Sequence, residues 1–267
     1  MTDSKLKVSI ISERDKKVHE KRNAPKTYQS KPGIKPSELG SPCYRKNYYV
    51  YHRLKSNFEF ELLNGKAADA GDAYHSMIRK WWNDAGMLIE NLDKFTGKVP
   101  ISFIDKKTPD PEFPVFAPDL GIRYAKADGL IKIPDGPKKG IWVLEAKSKN
   151  PKQFGYIKNP EKDRYQGHLY IWLLEEAMNA GKFDHIPELE GEREIRGVCF
   201  DYIERSSEMN EKEFFEEKDV QLFETIVNKC LKILDYVERK ELPPKTEDFC
   251  PWCPYRDYCE REFKVED

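Results

Sequence analysis

The sequence lacks a long hydrophobic run and an excess of charge of either sign, and each absence narrows the function. Among its longest apolar runs is LYIWLL, residues 169–174, far short of the ~20 residues that a membrane helix needs. The first 22 residues contain no apolar core of signal-peptide length. The formal net charge of −1 excludes a uniformly basic protein, so a polyanion would have to be held by local patches. These absences predict a cytoplasmic protein that does not enter a membrane.

The six cysteines are unevenly distributed along the chain. In a cytosolic chain, cysteines serve as ligands, catalysts or core residues more often than as a disulfide framework. Cys250, Cys253 and Cys259 crowd the C-terminus, whereas Cys43 stands far upstream. Four thiolates suit an iron–sulfur cluster and also a zinc site, so this spacing alone leaves the metal open. Two others lie in apolar segments and are expected in the core: Cys199 and Cys230.

Charge and proline divide the chain into an arm and one domain. Residues 1–35 hold ten Lys or Arg against four Asp or Glu, which indicates a flexible basic arm. Residues 36–267 contain no repeat and are predicted to form a single domain. Its first helix is expected to begin at Ser41-Pro42 and to run through the aromatic segment CYRKNYYVYHRL.

Hydrophobic periodicity predicts an α/β fold with a mixed central β-sheet flanked by helices. Further helices are expected at about 61–83, 161–180 and 208–239. The expected strands are VPISFI, IRYAKADGLIKI, IWVLEAK and REIRGVCFDYI. PDGPKKG separates the second strand from the third and is a strong turn signal, so we expect these two strands to be antiparallel neighbours.

The segment WVLEAK, residues 142–147, places a carboxylate and an amine at the end of an apolar strand. Side chains two residues apart share a face, so Glu145 and Lys147 are expected side by side. If no other residues of the chain complete a site with them, the alternative is an exposed ion pair that contributes little to stability. Asp128, in the preceding strand, can approach Glu145 across the pair. Two carboxylates in one pocket suit Mg²⁺ or Mn²⁺, and a lysine beside such an ion suits phosphodiester hydrolysis.

These residues, together with two motifs in the expected order, resemble the PD-(D/E)xK nuclease superfamily in its RecB-like branch. GDAYH, residues 71–75, matches the Gly-x-x-x-His element of that branch, and QGHLY, residues 166–170, matches its Gln-x-x-x-Tyr element. The resemblance implies a restriction-endonuclease-like core. It implies three metal ligands: His75, Asp128 and Glu145. It implies five catalytic residues: Lys147, Glu145, Asp128, Gln166 and Tyr170.

The cysteine pattern resembles the iron–sulfur subgroup of these nucleases, which includes the CRISPR-associated RecB-type exonucleases. In that subgroup one upstream cysteine and a C-terminal triplet hold a [4Fe–4S] cluster. The resemblance therefore implies a cluster that joins the N-terminal helices to the C-terminal tail, on four ligands: Cys43, Cys250, Cys253 and Cys259. Zinc is the less favoured occupant, because zinc sites more often use two CxxC pairs and this chain has one.

The resemblance implies a metal-dependent exonuclease that acts on single-stranded or frayed DNA ends. Recombination, end processing and CRISPR adaptation are the implied settings, with a phage-encoded relative among the candidates and proteins of those pathways as partners. No GxxxxGK[ST] loop is present, so ATP-driven unwinding by this chain is not expected. A catalytically weak DNA-binding or partner-binding module that keeps the nuclease fold is the alternative.

Five residues of the first helix and its end are candidates for DNA contact by phosphate binding and base stacking: Tyr44, Arg45, Lys46, Tyr49 and Arg53. Packing of the tyrosines on the core is an equally favoured alternative for this helix.

Overall fold

The computed structural model describes residues 32–54, 62–89, 112–246 and 253–264. Most of the expected basic arm, residues 1–31, and the predicted strand VPISFI lie outside these ranges. The described helices are α1 (Tyr44–Tyr51), α2 (Leu62–Asp84), α3 (Pro151–Gly155), α4 (Arg164–Asn179), α5 (Val220–Glu238) and α6 (Arg256–Glu260). The described strands are β1 (Leu88–Ile89), β2 (Phe113–Ala117), β3 (Ile122–Ala127), β4 (Gly129–Ile133), β5 (Gly140–Lys149), β6 (Gly197–Glu204) and β7 (Glu211–Glu217).

Five of these strands form one mixed sheet in the order β1-β4-β5-β6-β7. The central pair, β5 and β6, is parallel, and the other neighbours are antiparallel. Strand β5 is buried continuously from Ile141 to Ala146, as a strand covered on both faces should be. Helix α2 packs through Ile78 on one face, and α4 lies against the other. The predicted mixed sheet with flanking helices is therefore confirmed.

The segment predicted as one strand, IRYAKADGLIKI, is two strands in two sheets. Strand β3 pairs with β2 in a separate two-stranded sheet, whereas β4 joins the main sheet beside β5. The break falls at Asp128, where the chain bends from one sheet to the other. The predicted antiparallel pairing across the PDG turn is confirmed, with Gly129 opposite Leu144 and Ile133 opposite Gly140.

The prediction of one helix over residues 208–239 is wrong in its first part. Glu211–Glu217 forms β7, an edge strand antiparallel to β6. Its two phenylalanines face opposite sides of the sheet: Phe214 meets the Tyr202 ring at 5.8 Å and Phe215 meets the Trp142 ring at 5.1 Å. The helix starts at Val220, because the Asp219 side chain accepts a hydrogen bond from the Leu222 backbone N–H and caps it.

Helices α2 and α4 agree with the prediction within a few residues, α3 and α6 were not predicted, and α1 differs at its start. That helix begins at Tyr44, with Cys43 as its N-cap, and not at Ser41-Pro42. The Lys229 ammonium group of α5 donates hydrogen bonds to the carbonyls of Leu39 and Ser41, which holds the preceding segment in a non-helical path. Among the residues described, no helix combines the length and apolarity needed to cross a membrane.

Candidate active site

Strand β5 presents Glu145 and Lys147 on one face, as the sequence predicts. The Lys147 ammonium group donates a hydrogen bond to Glu145 Oε1, and Glu145 is only 1% exposed. The pair is therefore a buried ion pair rather than an exposed one at a fraying strand end. Burial of such a pair is costly without further partners, which points to a function other than stability.

Asp128 meets this pair from the neighbouring strand. It precedes Gly129, which lies opposite Leu144, so the register brings Asp128 beside Glu145. Its Oδ2 accepts a hydrogen bond from the Ala146 backbone N–H at 2.8 Å, which fixes the plane of the carboxylate. Its Oδ1 faces His75 of α2, with 3.6 Å to Nδ1.

Helix α4 supplies Gln166 and Tyr170 on successive turns. Gln166 Oε1 accepts a hydrogen bond from Lys147 at 3.2 Å, and its Nε2 donates to the Tyr170 hydroxyl at 3.2 Å. Close approach of α4 to β6 depends on Gly167, since a Cβ there would lie 2.8 Å from side-chain atoms of Val198 and Phe200. The structure thus brings together all six residues predicted for the catalytic centre.

Burial and like charge set the protonation of the two carboxylates. Burial raises the pKa of Glu145 to about 7, and repulsion from Asp128 adds to the effect. Burial also opposes ionisation of Asp128, but the His75 hydrogen bond and the nearby cations outweigh it and lower the pKa of Asp128. For Lys147, attraction by Glu145 and Asp128 overcomes burial and raises its pKa. At neutral pH the site holds one firmly ionised carboxylate and a second that titrates near neutrality.

The donor set fits a divalent cation. Glu145 Oε2 is buried and, among the residues described, has no hydrogen-bond partner. Mg²⁺ and Mn²⁺ bind through one or two carboxylates and keep several waters, so Asp128 and Glu145 are a sufficient protein contribution. Within the described ranges, no three His, Cys, Asp or Glu side chains already form a complete ligand arrangement. An oxygen left without a partner beside a second carboxylate is the local sign of an ion site.

Two residues of this site were not predicted from the sequence, Arg79 and Glu112. Arg79 Nη1 lies 3.3 Å from Glu112 Oε1 and 3.8 Å from Asp128 Oδ1. The signal for Arg79 was present, because it follows His75 by four residues and so shares its helix face. Glu112 carried no such signal, since its place depends on the pairing of β2 with β3.

Three cysteines from distant parts of the sequence line one cavity. Cys43, Cys253 and Cys259 all face a cavity of about 740 Å³ between α1 and the C-terminal segment. Cys250 lies outside the described residues. The remaining two are fully buried, which confirms their prediction as core residues: Cys199 and Cys230.

The contacts of α1 bear on its predicted role in DNA binding. Tyr49 is fully buried, and its hydroxyl donates to the Tyr258 carbonyl, so its ring is not presented to a base. Tyr44 packs against the core cluster. Arg45 donates to the Pro243 carbonyl at 2.7 Å, and Lys46 pairs with Glu38 at 2.8 Å. The alternative expectation for this helix, that its tyrosines pack on the core, is therefore the one that the structure supports.

Arg53 ends the same segment in a left-handed backbone conformation, with φ of 59°. Burial lowers the pKa of its guanidinium. Arg45 and Lys46 nevertheless line the cavity that the three cysteines share.

Comparison with known proteins supports the interpretation of the site formed by Asp128, Glu145 and Lys147. A family model described as the PD-(D/E)XK nuclease superfamily matches residues 125–260, about half of the chain. The match spans Asp128, Glu145, Lys147 and the α4 residues, and the mixed sheet is consistent with a restriction-endonuclease-like fold. No curated protein matches the chain significantly.

Proposed function

The chain belongs to the PD-(D/E)XK nuclease superfamily, and we propose that it is a metal-dependent deoxyribonuclease acting on single-stranded or frayed DNA ends as an exonuclease. The observation that carries the proposal is the convergence of Asp128, Glu145 and Lys147 in one buried site, with Glu145 Oε2 lacking a partner among the residues described. A site built only for stability would satisfy that oxygen.

The residues of the site have separable roles. Asp128, Glu145 and His75 would hold Mg²⁺ or Mn²⁺, which when bound would polarise the scissile phosphodiester and activate water. Lys147 keeps its proton, because the adjacent carboxylates raise its pKa, so it offsets negative charge that develops on the phosphoryl oxygens. Gln166 holds the Lys147 ammonium group in position, and Tyr170 in turn holds Gln166.

End-labelled single-stranded DNA tests this function. With Mg²⁺ or Mn²⁺ the protein should shorten the strand, and the 5′-labelled and 3′-labelled substrates together give the polarity. Chelator should stop the reaction. Binding of the strand without shortening, in either metal, would support the alternative of a binding module that keeps the fold.

We further propose that Cys43, Cys250, Cys253 and Cys259 hold a [4Fe–4S] cluster that joins α1 to the C-terminal segment. Three of these thiols line one cavity although Cys43 and Cys259 are far apart in the chain, which supports the proposal. Thiolate ligation also suits zinc, the second candidate. Closing a loop of this length restricts the unfolded chain, by roughly 5 kcal/mol in the analogous disulfide estimate.

Colour and metal content test the cluster. Protein purified without oxygen should be brown, and Cys43→Ser should bleach it and lower the melting temperature. Cys199→Ser is the matched control, since that thiol is buried in the core and should leave the colour intact. Colourless protein that contains stoichiometric zinc would show that these cysteines bind zinc and not an iron–sulfur cluster.

DNA contact and biological setting complete the proposal. Arg45 and Lys46 are the favoured phosphate contacts of α1, because they are its cations and remain half-exposed. The family resemblance favours recombination, end processing or CRISPR adaptation, with the proteins of those pathways as partners. Copurification of such a protein with the tagged chain would identify the setting.

A further inference from the structure

Arg79 is a charged residue of the candidate active site to which the proposed chemistry assigns no role. It lies one helical turn beyond His75 on α2 and is 7% exposed. A buried guanidinium is costly unless it is paired. Its Nη1 reaches two carboxylates at once, Glu112 Oε1 at 3.3 Å and Asp128 Oδ1 at 3.8 Å.

These two carboxylates flank the end of the β2–β3 ladder. Phe113 of β2 lies opposite Ala127 of β3 as its last pair, and Glu112 and Asp128 are the residues next to that pair. Both lie near the same Arg79 nitrogen, so their like charges repel each other over a short distance. Arg79 lies against both, and Lys126 forms a further ion pair with Glu112.

Asp128 Oδ1 is the atom on which this arrangement converges. The other oxygen, Oδ2, is fixed by the Ala146 backbone N–H. Oδ1 faces His75 Nδ1 at 3.6 Å and Arg79 Nη1 at 3.8 Å. Because His75 and Arg79 occupy successive turns of one helix, the Arg79 ion pairs also fix the height of the His75 turn over the sheet.

We propose that Arg79 is a positioning residue, which bridges Glu112 and Asp128 and so holds Asp128 Oδ1 and the His75 turn in the arrangement that the metal requires. The inference rests on the proposed nuclease function. Without the guanidinium, Glu112 and Asp128 face each other as like charges, and Oδ1 moves away from His75. Displacement of a reacting group by about 1 Å can reduce a rate about a hundredfold.

Four variants test this role: Arg79→Met, Arg79→Lys, Glu112→Gln and the double variant Arg79→Met/Glu112→Gln. The control is Lys80→Met, which removes an exposed cation of the same helix that pairs with Asp84. The readouts are kcat, KM, the melting temperature, and the Kd for Mn²⁺ measured by calorimetry. Calorimetry with Mn²⁺ alone requires no cleavage, so it reports on the site independently of the proposed function.

Arg79→Met should lower kcat about 10- to 100-fold with little change in KM. Its Mn²⁺ Kd reports two opposed effects, because the variant loses both the bridge that holds Asp128 and a positive charge that repels the ion. Arg79→Lys keeps the charge but not the fork that reaches two carboxylates, so it isolates position. Its kcat should fall less than that of Arg79→Met, and its Mn²⁺ Kd should rise several-fold. In the Glu112→Gln background the same Arg79→Met change should cost much less, because the opposing charge is gone.

Several results would overturn the inference. One is an Arg79→Met variant that matches the Lys80→Met control in both kcat and Mn²⁺ Kd, even if its melting temperature is lower. Another is an equal loss of kcat in the wild-type and Glu112→Gln backgrounds. If the wild-type protein does not cleave DNA, the proposed function fails, and the Mn²⁺ titration then decides: a weaker Kd for Arg79→Lys supports the positioning role, and an unchanged or tighter Kd refutes it.

Discussion

Replacement of Gly167 by alanine separates the geometry of the active site from ordinary helix stability. Gly167 lies in α4 between the two turns that carry Gln166 and Tyr170. A Cβ at this position would lie 2.8 Å from Val198 Cγ2, 2.8 Å from Phe200 Cζ and 2.9 Å from Phe200 Cε1. Both neighbours are fully buried, so they have no room to withdraw. We therefore expect α4 to move away from the sheet.

The magnitude follows from two opposing effects. Overpacking of a dense core costs about 1–3 kcal/mol. Alanine is the better helix former by about 1 kcal/mol, which offsets part of that cost. With contacts to two buried side chains the steric cost should lie near its upper end, so Gly167→Ala should lose up to about 2 kcal/mol of unfolding free energy. Since α4 carries Gln166, which holds Lys147, kcat should fall by up to about a hundredfold.

Urea unfolding and steady-state cleavage measure the two effects. Gly155→Ala is the matched control, because a Cβ at Gly155 meets no atom within 4 Å. That variant should cleave as the wild type does and should be as stable or up to about 1 kcal/mol more stable, since Gly155 is the last residue of α3. A Gly167→Ala protein that is more stable than the wild type and equally active would refute the claim that close packing of α4 positions the site.

Three further predictions concern ions and pH. Burial raises the pKa of Glu145 to about 7, so below that pH a metal ion has to displace a proton. The apparent Mn²⁺ affinity should therefore fall about tenfold for each unit by which the pH is lowered below 7. A Kd that calorimetry finds constant across that range would contradict this prediction. Ca²⁺ should bind but inhibit cleavage, because its looser coordination places water less well than Mg²⁺ does; full activity in Ca²⁺ would be inconsistent with this mechanism. Burial also raises the pKa of Asp201 to about 7, so the folded protein retains a proton that the unfolded chain has lost, and stability should fall as pH rises from about 4 to 7. Asp201→Asn should therefore be more stable than the wild type at pH 8 by ~2–4 kcal/mol but not at pH 4, as thermal melts at the two pH values would show.

Part of the candidate active site was predictable because its residues are tied to local patterns. The i, i+2 rule places Glu145 and Lys147 on one face of a strand, and the PDG turn forces the antiparallel pairing that brings Asp128 to Glu145. Both rules act over a few residues and hold in the structure. The place of His75 and the α4 residues could be anticipated only through resemblance, since their distance from the strand depends on helix packing.

Two errors have a common physical cause. EKEFFEE was assigned to a helix because charged residues around two phenylalanines fit either periodicity, and pairing with β6 decides in favour of the strand. IRYAKADGLIKI reads as one strand, but its halves pair with different partners. In both segments non-local pairing overrides the local pattern. Glu112 was missed for the same reason, because only the β2–β3 register brings it beside Asp128.

The most direct test of the central claim is the single-turnover cleavage rate of end-labelled single-stranded DNA by Glu145→Ala in saturating Mg²⁺. Removal of this proposed metal ligand should lower the rate at least about a thousandfold, since the ion would contribute several kcal/mol and each 1.36 kcal/mol is tenfold. Binding of the single-stranded DNA should persist, because the Glu145 carboxylate that the variant lacks repels phosphate. Lys80→Ala, an exposed change on α2, should keep the wild-type rate. A Glu145→Ala protein that cleaves at nearly the wild-type rate would contradict the assignment of the active site.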